Sequence, residues 1–506
     1  MAIGAAAPSE LNQLREHLAE LSDLRGAITT LSWDQNTYMP PGGNDARADQ
    51  LGTLERLAHA RLVDPGLERL LDALEPWAAG EDPDSDAARL VRWTRRDHEK
   101  AARIPERLAV AMAREAASGY GAWLEAVEKG EYRRFRDPLA RQVDLRREYC
   151  ACFPDAQHPY DVLLDDFEPG MTLAEIRPMF DALTTALPPL IDRAASEDDA
   201  HEVLAGEFPI PAQRTLLDAV LVEVGFEAGV WRLDDAPHPF ALSPGPGDVR
   251  ITTRYRPDDL GYSLYSGLHE FGHGLYDANY AASLRRTTLY DCASLGIHES
   301  QSRMWENVIG RGRPFSAWLL PLLQEHLPGK FGGMDHAALY RGLNRVRRTL
   351  IRTEADETTY NLHVALRLEL ELALLEGRLE VDDLPAAWAE RMHALLGLTV
   401  PDDRQGVLQD VHWAAGDFGY FPTYTLGNLI AAQLWEQLRT DIPTVDECLE
   451  RGEFGPIREW LREHVHRHGR KYTQRELLRR ATRQELGVDA FLAYLEAKLT
   501  DAGVLA

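Results

Sequence analysis

Cysteine is nearly absent from this chain: Cys150, Cys152, Cys292 and Cys448 are the four among 506 residues, and no spacing among them suggests a disulfide framework. So few thiols fit a reducing compartment, and a cytoplasmic protein is expected. Residues 1–21 lack the basic start and apolar stretch that direct export, and no run of ~18 apolar residues occurs anywhere, which argues against a membrane-spanning helix. Positive charge is short as well. Lys and Arg total 55 against 81 Asp and Glu, a net charge of −26, so neither nucleic acid nor an anionic membrane is an expected partner. Repeats and low-complexity tracts are missing, and so are linkers. The stretches 78–86 and 237–248, rich in Pro, Gly and Asp, are short enough to be loops, and residues 1–506 are read as a single domain.

Helical periodicity is what the chain has in abundance. Apolar residues recur at three- and four-residue steps over 11–31, 45–74, 87–128, 173–196, 211–224, 337–376, 384–396, 424–439 and 473–499, in segments rich in Ala, Leu, Glu and Arg. The clearest strand is DVRITTRY at 248–255, where Val249, Ile251 and Thr253 alternate with Arg250, Thr252 and Arg254. An extended peptide is expected to pair with the edge of such a strand. The fold class is therefore mainly α, with a small β-sheet beside a deep groove.

Directly after that strand comes HEFGH, His269-Glu270-Phe271-Gly272-His273. On a helix, positions i and i+4 share a face, so the two imidazoles converge on one divalent ion. The intervening Glu270 then reaches the water that the ion holds, which is the zincin pattern of metal-assisted peptide hydrolysis. Tyr262, Tyr265, Leu268, Phe271, Leu275 and Tyr276 recur at helical steps around the motif, so the histidines belong to a partly buried face. Gly267, Gly272 and Gly274 weaken this helix by up to ~1 kcal/mol each relative to Ala, which implies close approach by a substrate backbone or a second helix.

A catalytic zinc site needs a third protein ligand and an open position. Glu299, in the segment HESQSR at 298–303, is the leading candidate, ahead of Glu306 and Asp277. In the resulting chemistry the metal polarises the scissile carbonyl and Glu270 shuttles the proton from water to the leaving amine. Three further clusters carry suitable polar groups. IRTEAD at 351–356 sets Arg352 inside a long helix, GVLQDVHW at 406–413 places His412 beside a tryptophan, and Tyr420 and Tyr424 follow a glycine-containing turn. A second histidine-rich run, His464, His466 and His468, has alternate residues that diverge on a helix, so a solvated face is expected there rather than a metal site.

With HPF at 238–240, DVRIT at 248–252, HEFGH, HESQ at 298–301, IRTEAD and GVLQDVHW in this order and spacing, the chain resembles the Taq-type metallocarboxypeptidase family, the thermostable-carboxypeptidase group of HExxH zincins. Similar stretches at 33–40 and 160–171 extend the resemblance over nearly the whole length. It implies a two-lobed helical fold with a long groove, a homodimer, and one catalytic ion per subunit, zinc or cobalt. It also implies the release of C-terminal residues from peptides, with broad side-chain tolerance and poor cleavage next to proline. His269, His273 and Glu299 would be the metal ligands and Glu270 the general base. Arg352 would be the leading anchor for the substrate carboxylate, because guanidinium grips carboxylate in a two-pronged pair, and Arg250 competes for that role. His238 and His412 would border the substrate or the oxyanion, with Tyr420 or Tyr424 donating to it. Two places depart from the family pattern: Asn36 stands where an acidic residue is usual, and Arg483-Gln484 where the pair contains glycine. HExxH fixes the bond chemistry and not the end of the peptide that is held, so an aminopeptidase or endopeptidase is the nearest rival.

Overall fold

The computed structural model describes residues 8–194 and 203–505. The first seven residues of the chain and Ser196, the expected end of one helix, lie outside them. The chain begins with α1 (Ser9–Thr37), α2 (Asn44–Leu62), α3 (Pro65–Ala78) and α4 (Asp86–Ala102). Leucines at helical steps, Leu11, Leu14 and Leu18 on α1 and Leu67, Leu71 and Leu74 on α3, close a small core of their own with Trp93 of α4. Next come α5 (Glu106–Lys129), α6 (Arg133–Ala151), α7 (Pro159–Phe167), α8 (Leu173–Ala194) and α9 (Ile210–Val224).

The sheet has three strands, β1 (Trp231–Asp235), β2 (Ala241–Gly245) and β3 (Asp248–Thr253), in the order β1-β3-β2. β3 runs parallel to β1, with Trp231 opposite Val249 and Leu233 opposite Ile251, and antiparallel to β2. The alternation in DVRIT holds at Val249, Arg250 and Ile251, buried, half-buried and buried in turn, but it ends at Thr252, which is buried as well. Its expected free edge is not there: β3 is the central strand, and both of its hydrogen-bonding edges are taken. A peptide that adds to this sheet would have to use β1 or β2.

Downstream lie α10 (Leu260–Ala278), α11 (Leu295–Arg303), a π-helical turn (Met304–Ile309), α12 (Arg313–His326), α13 (Pro328–Phe331) and α14 (His336–Leu343). They are followed by α15 (Tyr360–Leu375), α16 (Leu384–Leu396), α17 (His412–Ala415), α18 (Pro422–Asp441), α19 (Val445–Glu450), α20 (Gly455–His464), α21 (Gln474–Thr482) and α22 (Asp489–Asp501). α15 and α18 are buried on nearly every side, polar residues included, and run through the main core, where α10 and α11 pack. Among the described residues no helix is long and apolar enough to cross a membrane.

Four of the expected helices prove to be two each, and proline explains the first two. Asp64 caps α3 by accepting from Gly66 N at 2.5 Å and Pro65 takes the first helical position, which ends the run expected over 45–74. Pro105 divides α4 from α5. The break in 337–376 matters most. There the Asp356 carboxylate accepts from the main-chain N–H of Arg347, Thr358 and Thr359, at 2.9, 2.9 and 3.1 Å, and holds a loop between α14 and α15. Arg352 therefore sits in a short 3-10 turn, Arg352–Glu354, and not inside a long helix. Arg483, in the pair that departs from the family's glycine-containing pattern, takes a left-handed φ of 61° at the end of α21 and separates it from α22.

Candidate metal centre and active site

α10 starts where the Asp259 side chain accepts from Tyr262 N at 3.1 Å. Tyr265, Leu268, Phe271, Leu275 and Tyr276 are buried along it, as the periodicity predicts, whereas Tyr262 is only half-buried and Leu264, outside the predicted set, is buried too; His269 and His273 are half-buried one turn apart. α11 starts at the Ser294 cap and carries Glu299. Glycine sets the distance between the two helices. A Cβ built on Gly272 would lie 2.4 Å from Gln301 O, and one on Gly427 of α18 would lie 2.5 Å from Glu299 Cγ. The close approach expected at Gly272 is thus a second helix, while Gly267 and Gly274 admit Leu217 and Trp231.

The consequence is a compact donor set. His273 Nε2 lies 3.2 Å from His269 Nε2 and 3.3 Å from Glu299 Oε2, with His269 Nε2 3.7 Å from the same oxygen. Donors ~2.0–2.2 Å from a tetrahedral ion stand about 3.3–3.6 Å apart, so two imidazoles and one carboxylate at these spacings fit a divalent cation. Among the described residues this is the one group of His, Cys, Asp and Glu close enough to hold a metal ion.

Electrostatics around the trio favour a cation. Burial drives His269 down, but Glu299, Glu306 and Glu270 outweigh it and raise it to about 9. Burial and the neighbouring His298, whose ring stacks at 4.3 Å, hold His273 down at about 4, so that imidazole is neutral. Burial works to raise Glu299, and Arg303 with the two histidines holds it well below the ordinary carboxylate range. Glu270 is pushed up to about 7, chiefly by burial, a value at which a carboxyl group can both accept and release a proton near neutrality.

The two rivals for third ligand are occupied elsewhere. Glu306 Oε2 accepts from His269 Nδ1 at 2.8 Å, which fixes the ring with Nε2 turned toward the trio. Asp277 pairs with His298 Nε2 at 3.1 Å and accepts from Tyr280 Oη at 2.7 Å. Sequence reasoning weighed Glu306 as a ligand and missed it as an orienting partner. The signal was present, since Glu299, Arg303 and Glu306 follow at steps of four and three on one face.

Arg352 is buried and held: Nε and Nη2 donate to Asp410 Oδ1 at 3.1 and 2.7 Å, and Nη1 to Tyr360 Oη at 2.7 Å. Arg367 donates to the other Asp410 oxygen at 2.6 Å. His412 and His363, both pushed down to about 3 chiefly by burial, stay neutral beside them, so two guanidinium groups face one carboxylate and the cluster keeps a net positive charge. The cluster reaches the donor set through Tyr360, on which Arg303 stacks at 4.4 Å while donating to Glu299 at 2.7 Å. Tyr424 stands between them, with the Arg352 guanidinium 4.7 Å from its ring and His412 Nε2 3.1 Å from its hydroxyl. Tyr420 packs on Tyr424 at 5.3 Å. Arg250 is elsewhere, forked onto Asp248 at 2.8 and 2.7 Å and stacked 4.4 Å from Trp33 of α1. His238 is exposed in the turn between β1 and β2. Of the histidine-rich run, His466 is buried and bonded to Gln301 at 2.8 Å, so that stretch is not the solvated face expected.

The model of the family described as Carboxypeptidase Taq (M32) metallopeptidase matches residues 13–499. The chain belongs to the M32 family. An M32 enzyme is a metallocarboxypeptidase, a peptide hydrolase that works with a divalent metal. Thermostable carboxypeptidase 1 of Thermus thermophilus is 40% identical over 97% of this chain and 98% of its own length, and Carboxypeptidase 1 of Bacillus subtilis 35% over 96% and 97%. Among solved structures, the M32 carboxypeptidase of Deinococcus radiodurans superposes with a TM-score of 0.93 at 38% identity, over 98% of this chain and all of the other. The Pyrococcus furiosus carboxypeptidase gives 0.92 at 33% identity, over 97% and 99%. The M32 fold thus extends over nearly the whole chain.

Proposed function

We propose that this M32 chain releases C-terminal residues from peptides one at a time, with broad side-chain tolerance and poor cleavage next to proline. One divalent ion, zinc or cobalt, would be held by His269, His273 and Glu299. The observation that carries the reading is the set of 3.2, 3.3 and 3.7 Å separations among three donors, with Glu270 beside them and outside the set. Breadth of specificity and the weakness at proline follow from the family resemblance.

When bound, the cation supplies Lewis-acid polarisation of the scissile carbonyl and makes water more acidic. Glu270 is the proton carrier: its carboxylate takes a proton from the attacking water, keeps it in a buried setting, and delivers it to the leaving amine as the C–N bond breaks. Glu306 keeps His269 in the tautomer that presents Nε2. Arg352 is the preferred anchor for the substrate's terminal carboxylate, since its cluster carries the unneutralised charge and reaches Glu299 through Tyr360 and Arg303. Arg250 is the competing anchor, set apart by its fork onto Asp248. Tyr424, with His412 on its hydroxyl, and Tyr420 are the candidate donors to the oxyanion. His238 is assigned to the rim of the site.

The enzyme is further read as a cytoplasmic homodimer with one catalytic domain. Four unpaired cysteines support a reducing compartment. An exposed row on α5 at heptad steps, Val110, Ala113, Ala117, Tyr120 and Leu124, supports contact with a second copy.

A peptide with a free C terminus and its C-terminally amidated twin, incubated with metal-loaded protein and followed by mass spectrometry, test the reading. Stepwise shortening of the free peptide alone is expected. Equal internal cleavage of both would make the chain an endopeptidase and remove the carboxylate anchor.

A further inference from the structure

The π-helical turn Met304–Ile309 interrupts the helix that carries Glu299, and Gly310 N reaches back five residues to Trp305 O at 3.1 Å. The turn aims Glu306 at His269. Such a turn is held only where its surroundings fix it, and here one fixing element comes from the far end of the chain. Lys498 of α22 is buried, and its ammonium donates to Asn307 O, inside the turn, at 3.0 Å. Its other partners are Tyr494 Oη at 2.9 Å and the Glu357 carboxylate, and Tyr494 donates to the second Glu357 oxygen at 2.9 Å. All three donor positions of the ammonium are thereby used, which offsets the cost of burying the charge.

The same turn is also held by Arg311, whose Nη1 donates to Asn307 Oδ1 at 2.7 Å, to Glu306 O at 3.1 Å and to Glu306 Oε1 at 3.2 Å. The Arg311 guanidinium lies 3.7 Å from the centre of the Tyr265 ring of α10, so it ties the turn to the helix of the histidines. Glu306 Oε2, its remaining oxygen, meets His269 Nδ1 and Arg303.

We propose that Lys498 is a positioning residue for the metal centre: by holding the main chain of the π turn together with Arg311, it fixes the Glu306 carboxylate that orients His269. The C-terminal helix thus contributes to metal affinity without touching the metal. The inference rests on the reading of His269 as a metal ligand.

The full-length protein, stripped with a chelator, is titrated with Co2+ alone, and both the dissociation constant and the ligand-field absorption bands are read for wild type, Lys498→Met, Tyr494→Phe, Arg311→Gln and His269→Ala. Loss of an outer partner of a ligating histidine weakens metal binding roughly 10–100-fold, so Lys498→Met is expected to fall in that range with altered bands. Arg311→Gln is expected to behave likewise. Tyr494→Phe leaves the bond from Lys498 to Asn307 in place and is expected to stay within about twofold. A folded Lys498→Met protein with wild-type affinity and bands overturns the inference. Should Lys498→Met fail to fold, wild-type binding by Arg311→Gln overturns it. His269→Ala separates the two levels: undiminished Co2+ binding there would remove the metal-centre reading itself, whereas its loss with an unaffected Lys498→Met removes the role of Lys498 alone.

Discussion

Gly272→Ala tests the packing on which the metal centre depends with a single methyl group. The added Cβ would lie 2.4 Å from Gln301 O, 2.7 Å from Gln301 C and 2.7 Å from Ser302 Cα, all main-chain atoms of α11. Comfortable non-bonded separations are ~3.5 Å, so α10 and α11 must part by about 1 Å. Main chain inside two packed helices has no rotamer through which to yield, and overpacking of this kind costs about 1–3 kcal/mol of stability. The parting also falls on the proposed ligands, because His273 is one residue from Gly272 and Glu299 is two from Gln301. A divalent site tolerates ligand displacements of roughly 0.2 Å, several times less than the shift required. Gly272→Ala should therefore lower zinc affinity at least about tenfold and hydrolysis with it. Competition with a chromophoric chelator reads the affinity, and thermal unfolding with and without chelator reads the stability. Unchanged zinc affinity and an unchanged melting temperature would refute the argument that glycine sets the helix spacing.

Glu270→Gln should retain the metal and the fold while kcat falls by roughly 10²–10⁴, a loss a steady-state assay on the metal-loaded variant would detect. Arg352→Met should lower kcat/KM on a free-C-terminal peptide about 10²–10³-fold, with Arg250→Met costing less than about tenfold; the reverse order in a paired kinetic comparison would move the anchor to Arg250. Glu168 is buried beneath the start of α11, accepts from Gly296 N at 2.5 Å, and is pushed up to about 8 chiefly by burial. The folded state keeps that proton after the unfolded chain has released its own near 4.5, so stability from this group falls as pH rises from about 4.5 to about 8. Glu168→Gln should flatten denaturant-derived stability over that window, and an unchanged slope would show that Glu168 titrates normally.

What the sequence made legible was local. The HEFGH helix, its buried face and the alternating strand depend on periods of 3.6 and 2 and on one cap, all carried by neighbouring residues. Which carboxylate joins the two histidines was legible only as a choice of candidates, because Glu299, Glu306 and Asp277 all lie near the histidines in sequence. What sorts them is long-range: glycine at 272 and 427 admits Glu299, while the π turn sends Glu306 to the far side of His269. Arg352 was misplaced in a helix because the helix-forming residues around it hide the cap at Asp356, whose carboxylate gathers three main-chain N–H groups. The neighbours of Arg352 were not legible either, since Asp410 and Arg367 meet it only through the packing of α15 on its loop. Arg483 shows the converse, a departure from the family pattern that proves to be a left-handed cap.

The measurement that bears most directly on the central claim is a crystal structure of the zinc-loaded enzyme with diffraction recorded at the zinc absorption edge. One anomalous peak bonded to His269 Nε2, His273 Nε2 and Glu299, with Glu270 unligated beside it and an open position toward Tyr420 and Tyr424, is the predicted result. A peak ligated by Glu306 or Asp277, or a fourth bond from Glu270 that closes the site, would contradict it.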